Sequence, residues 1–199
     1  MANFAAIAAV GKSIERLLNA AFTEQEPVAT PGRHTRAVLV TTTDFEATQV
    51  NDRIGPFAVS IFLYRADFNK TMRAAWSAVG SLEGRGHLAL DLHYLLSAWA
   101  DNAETEHRIL GRAMQAIETT PVLSGPLLDP SSDWSGNETV QLVMEEVPTE
   151  AVMRIFDSLP TDFRLSVPYI ARIARLDTRV TPQPPVTTVI IGAVPEPKP

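Results

Sequence analysis

The chain has 199 residues, 45% of them hydrophobic and 20% charged, with a formal net charge of −6 and no cysteine. That is the composition of a soluble globular protein able to bury one sizeable core. It excludes disulfides and thiolate metal sites, and it offers no basic face for nucleic acid.

No stretch is long enough to span a bilayer, and residues 1–18 lack the basic start of a secretory leader. The sequence therefore predicts a cytoplasmic product with no membrane partner. At the start, Phe4, Ile7, Ala8, Gly11, Ile14, Leu17, Leu18, Ala21 and Phe22 fall on one helical stripe, opposite Lys12, Glu15, Arg16 and Asn19. The spacing predicts an amphipathic helix ending near Glu24, before Pro27, and packed on a sheet. Residues 26–36 read as a loop, and Ala37–Thr43 as a short β-branched strand. After a polar connection, Phe57–Ala66 is apolar on both faces and reads as a central strand. Residues 67–86 lose the pattern: Met72, Ala75, Trp76 and Val79 allow a helical turn or two, while Gly80, Gly84 and Gly86 favour a loop.

From Leu88 to Ala98 every even position is apolar or aromatic, and the odd positions include Asp91, His93 and Ser97. A period of two with one apolar face predicts a half-buried strand; a helix would set Asp91 and His93 among leucines. Asp101 with Glu104 predicts a capping box, after which Ile109, Leu110, Ala113, Met114 and Ile117 recur at helical spacing. Residues 123–136 read as a loop and Thr139–Met144 as a strand. Pro148-Thr149-Glu150 opens a short helix that Pro160 closes. Phe163–Leu176 alternates again; Pro168 inside it cannot donate to a ladder, which predicts an edge strand or a bulge there. Thr178–Pro199 holds six prolines around the β-prone island Val186, Thr187, Thr188, Val189, Ile190 and Ile191. Such an island makes no core alone and needs a sheet edge, its own or a neighbour's. The whole reads as an α+β chain: a mixed, mainly antiparallel sheet flanked by an N-terminal, a central and a short helix (residues 1–177), followed by a Pro-rich C-terminal arm (178–199).

Chemistry is sparse. His87, Asp91 and His93 project from one side of the central strand, and Glu104-x-x-His107 begins the next helix, a set able in principle to hold a divalent metal. One alternative is thus a small metal-dependent enzyme using His87, Asp91, His93 and His107; another is a soluble adaptor. The plainer reading is a polar strand face that is solvated or meets a neighbouring subunit. Ser97, Ser124 and Ser166 lie in no G-x-S-x-G elbow, and Gly80, Gly84 and Gly86 form no phosphate loop. Arg164, Arg172, Arg175 and Arg179 suit an acidic protein partner. The residues alone give a non-catalytic domain with no cofactor and no resident metal.

Asp91-Leu92-His93-Tyr94-Leu95-Leu96, then Glu106-His107-Arg108-Ile109-Leu110-Gly111-Arg112-Ala113-Met114-Gln115 and Thr120-Pro121-Val122-Leu123, resemble the signature of one family. Phe62-Leu63-Tyr64-Arg65 before them and Arg164-Leu165-Ser166-Val167-Pro168-Tyr169 after them match its order. That family was first catalogued as a domain of unknown function, in contractile injection systems such as the antifeeding prophage and the Photorhabdus virulence cassettes. The resemblance covers most of residues 1–177 and departs in the loop 67–86 and the tail. It implies a tail-terminator fold and a structural cap: a homo-hexameric ring on the distal end of the inner tube that stops tube and sheath growth and anchors the last sheath layer. The implied partners are the chain itself, inner tube protein and sheath protein. Such a cap would assemble in the bacterial cytoplasm and then belong to the particle. On this reading Val186–Ile191 exchange a strand with a neighbour, and Asp91, His93, Arg108 and Arg112 contact the tube or an adjacent protomer.

Overall fold

A computed structural model describes residues 3–28, 32–72 and 87–177. The helical turns suggested around Ala75, Trp76 and Val79 and the island 186–191 lie outside the described residues. Six strands form one mixed sheet in the order β1-β2-β3-β6-β5-β4. They are β1 (Arg36–Val40), β2 (Ala58–Phe68), β3 (His87–Trp99), β4 (Val122–Ser124), β5 (Thr139–Met144) and β6 (Ser166–Asp177). Among the described residues, β1 and β2 run parallel and every other pairing is antiparallel. The mixed, mainly antiparallel α+β architecture is thus the one the sequence predicts.

Two helices cover one face. α1 (Ala6–Glu24) lays Val10, Ile14, Leu18 and Phe22 onto the sheet. α3 (Ala103–Thr119) adds Ile109, Leu110, Ala113 and Ile117 against Leu92, Tyr94 and Leu96 of β3. Its N-cap is Asn102, not Asp101: the Asn102 side chain accepts from the Thr105 amide at 2.9 Å. Asp101 is instead drawn outward to Arg33, at 3.2 Å. Gly11 lets α1 settle close to β1, since a Cβ there would lie 2.9 Å from the Leu39 methyl Cδ2.

The opposite face departs from expectation. β3 is buried on both sides from Leu92 to Trp99, where the alternation predicts one wet face. Leu95 and Trp99, at odd positions, join Ala58, Phe45 and Ile54 in a second core, closed by Val152, Phe156 and Leu159 from the region of α4 (Thr149–Asp157). The predicted polar connection 44–56 supplies its lid, through a 3-10 turn at Thr42–Phe45 and the short α2 (Val50–Arg53). Ser97, the polar member of that face, accepts from the Ser166 hydroxyl at 2.7 Å and so is buried with a partner.

Two further corrections concern the far side of the sheet. β4 takes up the start of the predicted loop 123–136; Leu123 is fully buried and pairs with Val140, and Gly125 at φ +50 turns the chain away. β6 begins at Ser166, and Pro168 sits neither on an edge strand nor at a bulge, because β6 runs between β3 and β5. Pro168 is tolerated because β5 ends beside it: the Glu145 amide donates to the Pro168 carbonyl at 2.9 Å, the last rung recorded between them.

Candidate functional site

Where β2, β3 and β6 run beyond the helices, two bulges face each other across β3. Tyr64 is the extra residue between the Leu63–Tyr94 and Arg65–His93 pairs, and Ile173 is the extra one between Leu90–Ala174 and Asp91–Arg172. Bulges re-aim the side chains beside them. Here they gather a polar cluster around His93, which is 3% exposed. Its Nδ1 lies 2.7 Å from Glu145 Oε2, so the proton on that nitrogen donates to the carboxylate. The Arg65 guanidinium sits 3.1 Å from the ring, 3.4 Å from Glu145 and 3.0 Å from Asp67. The Tyr64 hydroxyl donates to the same Glu145 oxygen at 3.1 Å. Burial and the Glu145 charge push the Tyr64 phenol up to about 12. Asp91 lies alongside, accepting from Asn69 Nδ2 at 3.1 Å. A recess of about 370 Å³ opens between Lys70, Asp91, His93, Glu145 and Arg172.

The four residues expected at an interface do not form one surface. Asp91 and His93 lie with this cluster, whereas Arg108 and Arg112 ride on α3, over the other face of the sheet. Arg108 is exposed and pairs with Glu104 at 3.9 Å. Arg112 is turned inward: its Nε and a terminal nitrogen donate to the Ala21 carbonyl at 3.2 and 2.9 Å, and it reaches Glu24 at 3.0 Å. The Ala21 carbonyl already accepts from the Gln25 amide at 3.0 Å, so Arg112 adds further donors to the last turn of α1 and a cation that complements the helix dipole there. Glu24 is mostly exposed, so that ion pair adds little. Arg112→Ala is expected to lower stability by about 1–2 kcal/mol, read as a lower urea midpoint at unchanged slope. If Arg112 acted only on a partner, the midpoint would stay put.

His107 is exposed on α3, on the far side of the sheet from His93, and His87 stands at the outer end of β3. Among the described residues, no three His, Asp or Glu side chains gather as a group able to hold a metal ion. Sequence reasoning did not single out Asp67 and Glu145, and took Tyr64 and Arg65 only as part of a family pattern. The available signal was Arg65-x-Asp67, two opposite charges at alternate positions ending an apolar strand. Among the described residues, no helix is long and apolar enough to cross a membrane.

A helix-backed mixed sheet with its long strands projecting past the core is a fold shared with terminating caps of injection machines. The chain superposes with a TM-score of 0.53 and 18% identity on the sheath/tube terminator of an extracellular contractile injection system, PVC, in the extended state, covering 94% of this chain and 64% of that one. With the tube-terminating cap of the anti-feeding prophage the TM-score is 0.52 and the identity 16%, over 92% of this chain and 60% of that one. The chain therefore spans about two thirds or less of the length of each. No curated protein sequence matches it. The Pvc16 N-terminal domain matches residues 9–188, and the chain belongs to that family.

Proposed function

We propose that this protein is a structural cap, a tail terminator, of a phage-tail-like contractile injection system. It closes the distal end of inner tube and sheath, ends their growth and anchors the last sheath layer. The observation carrying this reading is the shared fold with a sheath/tube terminator over 94% of the chain, joined to membership of the Pvc16 N-terminal domain family. On this reading the chain has no catalytic role; it assembles in the bacterial cytoplasm as a homo-hexameric ring and then stays with the particle. A ring needs heterologous contacts that close on themselves, and a chain with more than one kind of exposed edge can supply them.

Residues 1–177 form the ring body in this proposal, and 178–199 form an arm whose segment Val186–Ile191 exchanges a strand with a neighbouring cap or sheath subunit. Asp91 and Arg108 are the polar contacts offered outward, while His93 and Arg112 hold the surfaces that present them. Particles assembled without this polypeptide are expected to show tubes and sheaths of uneven length by electron microscopy. Uniform, intact particles would refute the cap. Deleting residues 178–199 is expected to leave a folded body that no longer caps; normally capped particles would refute the role of the arm alone.

A further inference from the structure

Backbone edges of the sheet are treated unequally. The outward groups of β1 are occupied by side chains of α1: Asn19 donates to the Ala37 carbonyl and accepts from the Ala37 amide, both at 2.9 Å, and Glu15 accepts from the Leu39 amide at 3.1 Å. This is how an edge strand is closed to further pairing. At the other end of the sheet, β4 has three residues, too few to template a six-residue segment. β2 differs from both. It pairs with β1 only through Phe62 and then continues to Phe68 along β3. Among the described residues, no strand lies on the β1 side of Leu63 to Asp67.

We infer that this outer half of β2, centred on Leu63 to Asp67, is the acceptor edge for the Val186–Ile191 segment of a second copy of the chain. The inference rests on the proposed strand exchange and adds where the donated strand lands. Length agrees: the island has six residues, and the acceptor segment Leu63 to Asp67 offers five. Charge agrees as well. The island is uncharged, and the two charges on the acceptor segment, Arg65 and Asp67, neutralise each other at 3.0 Å.

Reach permits either copy to donate, and chain direction favours a second one. Asp177 pairs with His87 at the outer end of β3, and a strand added to β2 lies three strand spacings from β6, about 15 Å. The eight residues 178–185 contain Pro182, Pro184 and Pro185, which favour extended backbone of about 3.1 Å per residue, about 25 Å in all. Because β2 and β6 both run toward this end of the sheet, pairing with its own β2 would also require the arm to double back. Three prolines in eight residues disfavour that reversal and suit delivery of the island to the edge of another subunit.

The chain has no cysteine, so introduced pairs report without background. One chain carries Ala66→Cys, at an exposed position; a second carries cysteine in place of Thr187, Thr188 or Val189 in turn. Adjacent strands bring Cα atoms within disulfide range. Both chains are assembled together with tube and sheath, oxidised, and run on a non-reducing gel, with circular dichroism confirming that each is folded. The expected result is a covalent dimer for at least one of the three pairs, lost when Ile190→Pro is added to the donor. In chains bearing both cysteines, cross-links confined within single chains would overturn the inference, as would the absence of any cross-link. If no cross-link forms yet deleting 178–199 still abolishes capping, strand exchange survives and β2 is not its acceptor.

Discussion

Above about pH 10 the protein is expected to lose stability steeply, and its tyrosines to ionise only as it unfolds. The chain has three tyrosines, and the fold pushes all three phenols upward. Tyr64 rises from 10.0 to about 12, through burial first and then the charge of Glu145 and the hydrogen bond to it. Tyr169 rises to about 12 through burial and then the charge of Glu118. Tyr94, 1% exposed, is pushed up by burial alone. In each case the folded value lies above the unfolded one. The unfolded chain therefore releases its phenolic protons first as pH rises. Stability from these groups is complete below about pH 10 and drains away as pH climbs toward 12, by about 1.4 kcal/mol per pH unit for each phenol. Half-buried Tyr64 contributes least. Phenolate absorbance followed beside far-ultraviolet circular dichroism is the measurement, and the two signals should move together. Three phenols titrating near pH 10 with the dichroism intact would refute the burial of these side chains on β2, β3 and β6. Tyr94→Phe separates the causes: among the described residues its hydroxyl has no hydrogen-bond partner, so the variant should hold its stability near neutrality and unfold at higher pH.

Those tyrosines also mark where the sequence stops being informative. Tyr94 sits in a run whose period of two is plain, and α3 follows a stripe from Ile109 to Ile117 that declares one buried face. Such patterns are local, and the elements they predict are the ones observed. β4 is three residues long, too short for any period; only pairing with β5 makes it a strand. The His93 cluster depends on Glu145, 52 residues further along the chain, and on two bulges that shift register on both neighbours of β3. Arg112 reads as an exposed helical cation because its acceptor, the Ala21 carbonyl, is 91 residues away. Residues whose role is set by a distant partner carry the same local signature as residues facing water. For that reason Asp91, His93, Arg108 and Arg112 look alike in the sequence as polar residues suited to an interface, although the fold sets the first two on one face of the sheet and the last two over the other.

Trp99 is where the second core can be tested most sharply. The alternation of β3 puts it on the face read as wet, yet it is 4% exposed. Its indole N–H donates to Ser60 Oγ at 2.9 Å, its ring lies 6.0 Å from that of Phe45, and the Arg164 guanidinium stacks over it at 4.7 Å. Phe45 in turn meets Phe62 edge-on at 5.5 Å, so truncating Trp99 removes one end of a packed aromatic layer between the sheet and its lid. Trp99→Ala is expected to cost about 3–5 kcal/mol, a large part of the roughly 5–15 kcal/mol that a domain has in hand. Trp99→Phe keeps most of the volume and loses the indole hydrogen bond, and should cost about 1–2 kcal/mol. Ser60 would still donate to the Ser97 carbonyl, at 3.4 Å. Urea unfolding of the three proteins gives the comparison through midpoints at unchanged slope. Pairing each change with Arg164→Ala isolates the stacked cation, worth about 0.5–1 kcal/mol. A cost below 1 kcal/mol for Trp99→Ala would mean that the lid built from residues 42–54 and α4 does not close on the sheet, leaving β3 half-wet as its alternation alone predicts.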